Sequence, residues 1–179
     1  LLWISKIITK FDFGYSYTFE KPVAQVIMER MGYTFAIALF AHIFTWTVAI
    51  PIGIYVAVKQ YSITDYIVTF VTFIGLAVPA FFLAMIIMYV VLTKFGIRAG
   101  GLFSQEYLVL PWSWGKFVDL LKHMWLPVIL LGTGGVAGTI RTMRAMMLDE
   151  LRKQYVTVAR AKGLSEFQVI VRYPTRLAI

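Results

Sequence analysis

The chain has 179 residues, of which 60% are hydrophobic and only 15% charged, whereas soluble domains are apolar at roughly half of their positions. This composition predicts a membrane protein. The sequence contains no cysteine, which excludes disulfides and cysteine-based zinc or iron–sulfur sites, and His42 and His123 are too few for a metal centre built by protein alone. The net charge of +8 is compatible with nucleic-acid binding, but membrane proteins also concentrate Lys and Arg on their cytoplasmic side. The positions of these residues along the chain therefore distinguish the two explanations.

Residues 1–32 precede the first long apolar run, and the orientation derived below assigns them to an external, periplasmic segment. They open on LLWISKII, which has neither the basic start nor the small-residue cleavage site of a signal peptide. The chain does not begin with Met, and we expect it to be a fragment.

Two stretches without a charged residue, Tyr33–Val58 and Tyr66–Thr93, are long enough to cross a bilayer. At about 1.5 Å per residue, each helix exceeds a hydrocarbon layer of roughly 30 Å, so both are predicted to span with some tilt. Pro51 and Pro79 interrupt these spans, and because proline removes a backbone donor and kinks a helix, both are candidates for shaping a pathway. His42 is expected to hydrogen-bond to a neighbouring helix.

A third stretch, Met124–Ile140, is just long enough to span and is loosened by Pro127 and several glycines. Small residues are acceptable in lipid because they let helices approach closely, and Gly134 and Gly138 have the GxxxG spacing of such contacts. We therefore favour helix packing over a ligand role for these two glycines.

The tail after this stretch holds more Lys and Arg than the connection before it. The connection contains Lys94, Arg98, Lys116 and Lys122, and the tail contains Arg141, Arg144, Arg152, Lys153, Arg160, Lys162, Arg172 and Arg176. The positive-inside rule then places the tail in the cytoplasm. The turn KQYSITD lies inside, and the loop with Trp112 and Trp114 lies outside as an interfacial anchor or, alternatively, a docking surface for an external partner. The predicted transmembrane region is 33–147, with spans at about 33–58, 66–93 and 124–147, and 148–179 form a cytoplasmic loop.

Within the tail, a helix over 147–162 is predicted from the helical spacing of Leu148, Leu151, Tyr155, Val158 and Ala159. Asp149 and Lys153 are placed as an i,i+4 ion pair along this helix. Gly163 supplies the left-handed residue that commonly ends a helix, and Lys162 complements the helix dipole in the last turn.

A second helix is predicted directly after this glycine. Ser165 and Gln168 have the spacing of a capping box, and Leu164 and Val169 that of a hydrophobic staple. Pro174 disfavours continuation after about two turns, and so short a helix needs outside support. An apolar stripe of Phe167, Ile170 and Val171, opposite Glu166, Gln168 and Arg172, suits insertion into a groove on a cytoplasmic partner; packing on its own long helix or on the membrane surface is the alternative.

These residues resemble the cytoplasmic EAA loop of bacterial ABC-transporter permeases. Placing Gly163 on the motif glycine puts Thr157, Val158 and Ala159 where the general consensus has Glu-Ala-Ala, and Tyr173, Thr175 and Arg176 where it has Ile, Leu and Pro, so that consensus is only partly met. The peptide-permease branch reads YVxTARAKGLSExxVxxRH, and YVTVARAKGLSEFQVIVRY follows it, with Tyr173 in place of His.

The resemblance extends along nearly the whole chain. DFGYS resembles the DLGxS element of the branch, followed at similar spacing by Pro22, Val23, Arg30 and Thr34. AVPAFFLAMII resembles its proline-containing span, RAGG its outer-loop PxGG, and Arg141 with Arg144 its RxxR.

This resemblance implies an all-α, polytopic type I ABC importer permease core with three spans present and a cytoplasmic coupling helix. The residues that would couple it to an ATPase are Ala159, Arg160, Ala161, Lys162, Gly163, Leu164, Ser165, Glu166, Phe167, Gln168, Ile170 and Val171. The family normally has one more span before and two more after this region, so we expect truncation at both ends and no transport by this segment alone.

The implied partners are a second permease subunit in a heterodimer, cytoplasmic ATPase subunits, an external solute-binding protein and membrane lipid, with no nucleic acid. The implied location is the bacterial inner membrane. The run GTGGVAG lacks the GxxxxGK[ST] spacing of a phosphate-binding loop, so ATP and Mg are assigned to the partners and this chain is predicted to be neither an enzyme nor a cofactor binder. Peptides are the favoured cargo; nickel, glutathione and opines stay open.

Two other function classes remain as alternatives. Ala159, Gly163, Leu164, Ser165 and Val169 also fit the AxxxGxSxxxV pattern of a DNA-binding helix-turn-helix, although the second helix is short, half apolar and attached to a span. A channel or secondary transporter is the other alternative, and the scarcity of ionisable groups inside the spans argues against it.

Overall fold

The computed structural model describes residues 2–96 and 101–179, and most of the RAGG element lies outside these residues. The regular structure of the described part is helical apart from one short hairpin, which confirms the all-α class. It divides into two compact units, Leu1–Leu39 and Phe40–Ile179. The elements in chain order are α1 (Leu2–Lys10), β1 (Tyr15–Ser16), β2 (Lys21–Pro22), α2 (Val23–Val58), α3 (Ile63–Ala77), α4 (Ala80–Phe95), α5 (Gln105–Leu108), α6 (Trp114–Leu151), α7 (Gln154–Ala161), α8 (Glu166–Arg172) and α9 (Pro174–Ala178).

The first unit contains the hairpin that precedes α2. β1 and β2 are antiparallel, with Tyr15 opposite Pro22 and Ser16 opposite Lys21. Lys21 also forms an ion pair with Glu29 in the first turns of α2, at 3.0 Å between half-exposed side chains. Such an exposed pair is expected to add little stability, since water screens both charges.

Two helices, α2 and α6, are long and apolar enough to cross a membrane. Each continues through its proline, Pro51 in α2 and Pro127 in α6, without ending. α2 ends at Val58 as predicted but begins at Val23, so residues 23–32 of the predicted external segment are helical and continuous with the first span. A proline inside a long membrane helix is tolerated because neighbouring helices, Ser/Thr side chains or local adjustments of the backbone satisfy the carbonyl that the proline leaves without a donor.

The predicted outer loop is shorter than the sequence indicated, because α6 begins at Trp114 rather than near residue 124. The Ser113 side chain accepts a hydrogen bond from the backbone N–H of Lys116 at 3.3 Å and caps the helix. Asp119, one turn further on, accepts bonds from the backbone N–H and the hydroxyl of Ser104 at 2.8 and 2.9 Å. These bonds hold the loop against the start of α6.

The predicted span at 66–93 is broken into α3 and α4, which meet at a bend of 100°. Val78 is extended (φ −81°, ψ 122°), and α4 begins directly after Pro79. The residue before a proline is disfavoured in the helical region, which explains why α3 ends here. The predicted span is thus present as two half-length helices, the geometry of a broken span or a re-entrant loop.

Helices α2 and α6 pack closely through glycines other than those of the GxxxG pattern. A Cβ on Gly53 would lie 2.7 Å from the Cβ of Met143, and one on Gly132 would lie 2.5 Å from the Phe44 ring. Gly134 and Gly138 would meet nothing within 4 Å in the described part of the chain. Gly134 and Gly138 instead line an open groove together with Trp46 and Ile50 of α2, so within the described residues these two glycines make no close helix contact and their packing role stays a prediction.

A hydroxyl also joins these two helices. Thr45 is buried, and its Oγ1 donates to the carbonyl oxygens of Ala41 at 2.8 Å and Gly132 at 3.0 Å. His42, three residues earlier on α2, is exposed, and its ring centroid lies 5.1 Å from that of Trp46 on the same helix. Among the described residues no hydrogen bond joins His42 to a neighbouring helix, so that expectation is corrected.

The second unit has a small core at the C-terminal end of α6. Met147 and Met143 of α6 pack with Ala57 of α2 and Ala178 of α9. Many large apolar side chains on α2, α3 and α4 remain exposed outside this core. Such an extended apolar surface is suited to lipid or to other membrane helices.

Candidate functional site

The chain turns sharply between the end of α6 and the start of α7, which corrects the continuous helix predicted over 147–162. Arg152 closes α6, and Lys153 is extended (φ −74°, ψ 149°) before α7 begins. The Lys153 ammonium pairs with Glu150 at 2.5 Å instead of with Asp149. The i,i+4 geometry predicted for Asp149 and Lys153 requires an unbroken helix, so the break removes it.

Tyr155 fastens the start of α7 to α6. Its hydroxyl donates to Glu150 Oε2 at 2.5 Å. Burial of the ring, with the adjacent carboxylate of Glu150, raises the pKa of Tyr155 to about 12. The neutral hydroxyl is therefore kept further into the alkaline range than that of an ordinary tyrosine, and it joins the two helices.

Gly163 forms the turn between α7 and α8, as predicted. Its φ is +78°, in the left-handed region, and its N–H donates to the Arg160 carbonyl at 2.9 Å. A Cβ at this position would meet nothing within 4 Å, so the need for glycine comes from the backbone conformation alone.

The predicted capping box at the start of α8 is confirmed. The Gln168 backbone N–H donates to Ser165 Oγ at 3.4 Å, and the Ser165 N–H donates to Gln168 Oε1 at 3.2 Å. These reciprocal bonds satisfy backbone donors that the first turn of a helix otherwise leaves free. Because α8 has only seven residues, this cap is a large part of its local stability.

The inner side of this corner is a small apolar cluster. Its buried members are Val156, Ala159 and Val169, which join α7 to α8. Leu164 packs against this cluster, so the hydrophobic staple between Leu164 and Val169 is confirmed. Tyr155 and Tyr173 cover the same cluster, with their ring centroids 6.3 Å apart.

The predicted apolar stripe of α8 is divided between the core and the exposed surface. Ile170 is half-buried and packs against the core around Met147. Phe167 and Val171, one turn apart, are 76% and 44% exposed. The stripe is split because α9 contacts both α6 and α8, so one side of α8 lies close to α6 while the other side stays exposed. Phe167 and Val171 form what we call the α8 outer face.

Charged side chains surround this outer face. Arg160 on α7 pairs with Glu166 on α8 through bonds of 2.8 and 3.3 Å across the Gly163 turn. Ala161, Lys162 and Arg172 are exposed. The corner therefore presents an apolar centre with a polar rim, an arrangement typical of protein-binding surfaces.

An ion pair that the sequence did not predict joins α3 to α6. Arg144 donates to Asp65 twice, from Nε to Oδ1 and from Nη2 to Oδ2, each at 2.7 Å. The Asp65 side chain is 3% exposed and that of Arg144 28%. The only signals in the sequence were a carboxylate beside an apolar span and the second arginine of RxxR, and neither indicates its partner.

The break at Pro79 opens a cavity between α4 and α6. Its volume is about 630 Å³, and its mostly apolar lining includes Ala80, Phe81 and Pro127, with Lys122 and His123 among the polar residues. Pro79 therefore stays a candidate for shaping a pathway. Pro51 lies on an exposed side of α2 and does not line this cavity. Within residues 2–96 and 101–179, no cluster of three His, Asp or Glu side chains could hold a metal ion.

These features define a polytopic helical membrane protein with a capped helical corner next to its last described span. Residues 49–179 match the family described as binding-protein-dependent transport system inner membrane component. The chain belongs to this family, in the peptide and nickel import group of ABC permeases.

Relatives support the same assignment. The chain is 33% identical to the oligopeptide transport system permease protein AppB of Bacillus subtilis strain 168, over 100% of this chain and 55% of the relative. It is 32% identical to the dipeptide transport system permease protein DppB of Escherichia coli K12, over 94% of this chain and 54% of the relative. It is 34% identical to the inner membrane ABC transporter permease protein YejB of Escherichia coli O157:H7, over 95% of this chain and 47% of the relative. The chain thus spans about half the length of these curated relatives.

Proposed function

We propose that this chain forms part of the membrane pathway of an ATP-driven importer and couples that pathway to cytoplasmic ATPase subunits through the α7–α8 corner. The observation that carries this proposal is the α8 outer face. Phe167 and Val171 are exposed, while Val169 on the same short helix is fully buried. A rigid corner that presents an exposed aromatic side chain is suited to insertion into a groove on another protein.

Three contacts make the α7–α8 corner rigid, so that a displacement of α8 is transmitted to α7. Gly163 fixes the turn, the Ser165–Gln168 box fixes the start of α8, and the Arg160–Glu166 pair joins the two helices on the outside. A partner that grips Phe167 would therefore move α7 and α8 together. ATP and Mg belong to the partner ATPases in this proposal, and this chain supplies no catalytic group.

Membrane sidedness is also part of the proposal. The Lys- and Arg-rich tail supports a cytoplasmic location for the corner. The contact between Asp65 and Arg144 is consistent with this topology, because it joins the short turn after α2 to the end of α6, and both were assigned to the same side. The external loop before α6 then faces a solute-binding protein.

A second permease subunit is expected to complete the pathway, in contact with the exposed apolar sides of α2, α3 and α4. Peptides are the proposed cargo, since relatives that match nearly the whole chain are named for oligopeptide and dipeptide transport. Nickel, glutathione and opines are the alternatives, and an external binding protein would make the choice.

The test is reconstitution of the full-length subunit with its partner permease and ATPases in lipid vesicles. ATP-dependent uptake of a labelled oligopeptide in the presence of the binding protein is the expected result. Uptake that needs no ATPase, or conductance without one, would favour a channel or secondary transporter. Salt-dependent binding of duplex DNA by the subunit would favour the helix-turn-helix alternative.

A further inference from the structure

The pair between Asp65 and Arg144 lies away from the α8 outer face, at the junction of α3 with α6. Both carboxylate oxygens of Asp65 accept bonds from the guanidinium, each at 2.7 Å. A bidentate arrangement of this kind fixes orientation as well as distance, because the planar groups align. Few geometries other than this one satisfy both side chains.

Asp65 also organises the turn that leads into α3. Its Oδ2 accepts from the backbone N–H of Tyr61 at 3.0 Å, and its Oδ1 accepts from the Thr69 hydroxyl at 3.4 Å. Tyr61 has a φ of +65°, an unusual conformation for a residue other than glycine. One carboxylate thus fixes the turn, the first part of α3 and the side chain of Arg144.

A second contact lies further along the same two helices. The guanidinium of Arg141 lies 5.1 Å from the centroid of the Phe73 ring on α3. The two arginines, three residues apart on α6, therefore hold α3 at two levels. Cation–π contacts are weaker than buried ion pairs, so Arg144 is the dominant contact.

Arg144 also lies next to the α6 residues against which the α7–α8 corner packs. Met143 and Met147 on α6 form the core on which Ala178 of α9 and Ile170 of α8 pack. At its other end α3 leads to the break at Pro79, after which Ala80 lines the cavity between α4 and α6. A continuous set of contacts thus runs from α8 through α6 and α3 to this cavity.

We propose that Asp65 and Arg144 are a positioning pair that makes α3 move with α6 when the α7–α8 corner is displaced. The inference rests on the proposed function, because it assigns this pair the step between the ATPase-binding corner and the cavity-lining helices. Without the pair, α6 would move while α3 and α4 lag behind. ATP hydrolysis would then continue without productive opening of the pathway.

The central variant is Asp65→Asn combined with Arg144→Gln in the full-length assembled transporter. Removing one charge alone leaves the other buried and unpaired, whereas removing both relieves that penalty and keeps side chains of similar size. The matched control is Lys21→Gln with Glu29→Gln, which removes the half-exposed ion pair of the first unit.

The measurements are co-purification of the ATPases, ATP hydrolysis in vesicles and peptide uptake per ATP consumed. We expect the double variant to keep its ATPases and to hydrolyse ATP within about twofold of wild type, while uptake per ATP falls about tenfold. The control should retain normal uptake per ATP. A pair that serves only as a structural brace predicts full recovery of uptake in the double variant, and that result would overturn the inference.

Arg144→Lys provides a second, milder change that keeps the charge but loses the bidentate geometry. It should show the same separation of hydrolysis from uptake, to a smaller extent, and it decides the matter if the double variant does not assemble. Unchanged uptake per ATP in Arg144→Lys would then overturn the inference. If the wild-type assembly shows no ATP-dependent uptake at all, the proposed function has failed rather than this role for the pair.

Discussion

Two ion pairs of the second unit differ in kind. Arg160 and Glu166 meet across the Gly163 turn with side chains 46% and 64% exposed, whereas Asp65 and Arg144 meet between helices far apart in sequence and largely out of water. Water screens the exposed pair, which therefore contributes little to stability. Removing one partner of the buried pair is costly, because the other charge is then left without a partner. The corner is therefore stabilised mainly by its caps and apolar cluster, and the α3–α6 contact by charge.

The largest effect is expected from removing one partner of the buried pair. Asp65→Ala leaves the Arg144 guanidinium without its carboxylate and should lower the free energy of unfolding by about 3 kcal/mol. Thermal or denaturant unfolding of the full-length subunit in detergent measures this change. Glu29→Ala, which removes an exposed carboxylate, is the control. Equal stability of the two variants would contradict the contrast between buried and exposed pairs.

The next effect concerns the backbone of the corner. Gly163→Val forces a β-branched side chain into a left-handed conformation, at a cost of about 1–2 kcal/mol. ATP-driven uptake by the full-length subunit should fall while membrane insertion stays intact. Gly163→Asn, which tolerates this conformation better, should keep most of the uptake. Normal uptake in the valine variant would argue that the turn has no part in coupling.

A third prediction separates the centre of the α8 outer face from its rim. Phe167→Ala should weaken association with the ATPase about tenfold, and Arg172→Ala only about twofold, because a buried aromatic anchor carries more binding energy than a rim charge. Titration of the purified ATPase onto the subunit in nanodiscs gives both values. The reverse order would place the main contact on the charged rim.

The smallest effect is an alkaline loss of stability at the junction of α6 and α7. The pKa of Tyr155 is raised to about 12, from an ordinary value of about 10. The neutral hydroxyl is favoured in the folded state, so its contribution is complete below the ordinary pKa and is lost as pH rises through the folded one. Unfolding measured across this range should show a decline that Tyr155→Phe reduces. An identical decline in both proteins would contradict the assignment.

The corner could be predicted from the sequence because its determinants are local. A left-handed glycine, a capping box and a staple all act within a few residues, and Gly163, Ser165 and Leu164 occupy the expected positions. The family resemblance at 155–173 rests on the same residues. Length and composition also sufficed to predict α2 and α6 as long apolar helices, although not the residues at which they begin.

Contacts between distant segments could not be predicted in this way. The GxxxG spacing singled out Gly134 and Gly138, but helix rotation places Gly132 against α2 instead. Arg144 was visible only as part of a motif, and its partner lies 79 residues away. The break after Leu151 was missed because the helical spacing of apolar residues continues past it.

The most direct test of the coupling role is cross-linking from the α8 outer face. The sequence has no cysteine, so Val171→Cys places a single thiol on this segment, and keeps Phe167, for a short bifunctional reagent in the assembled full-length transporter. We predict a cross-link to the cytoplasmic ATPase subunit. Labelling of the same thiol by a membrane-impermeant reagent applied from outside the cell, with no cross-link to the ATPase, would contradict the account.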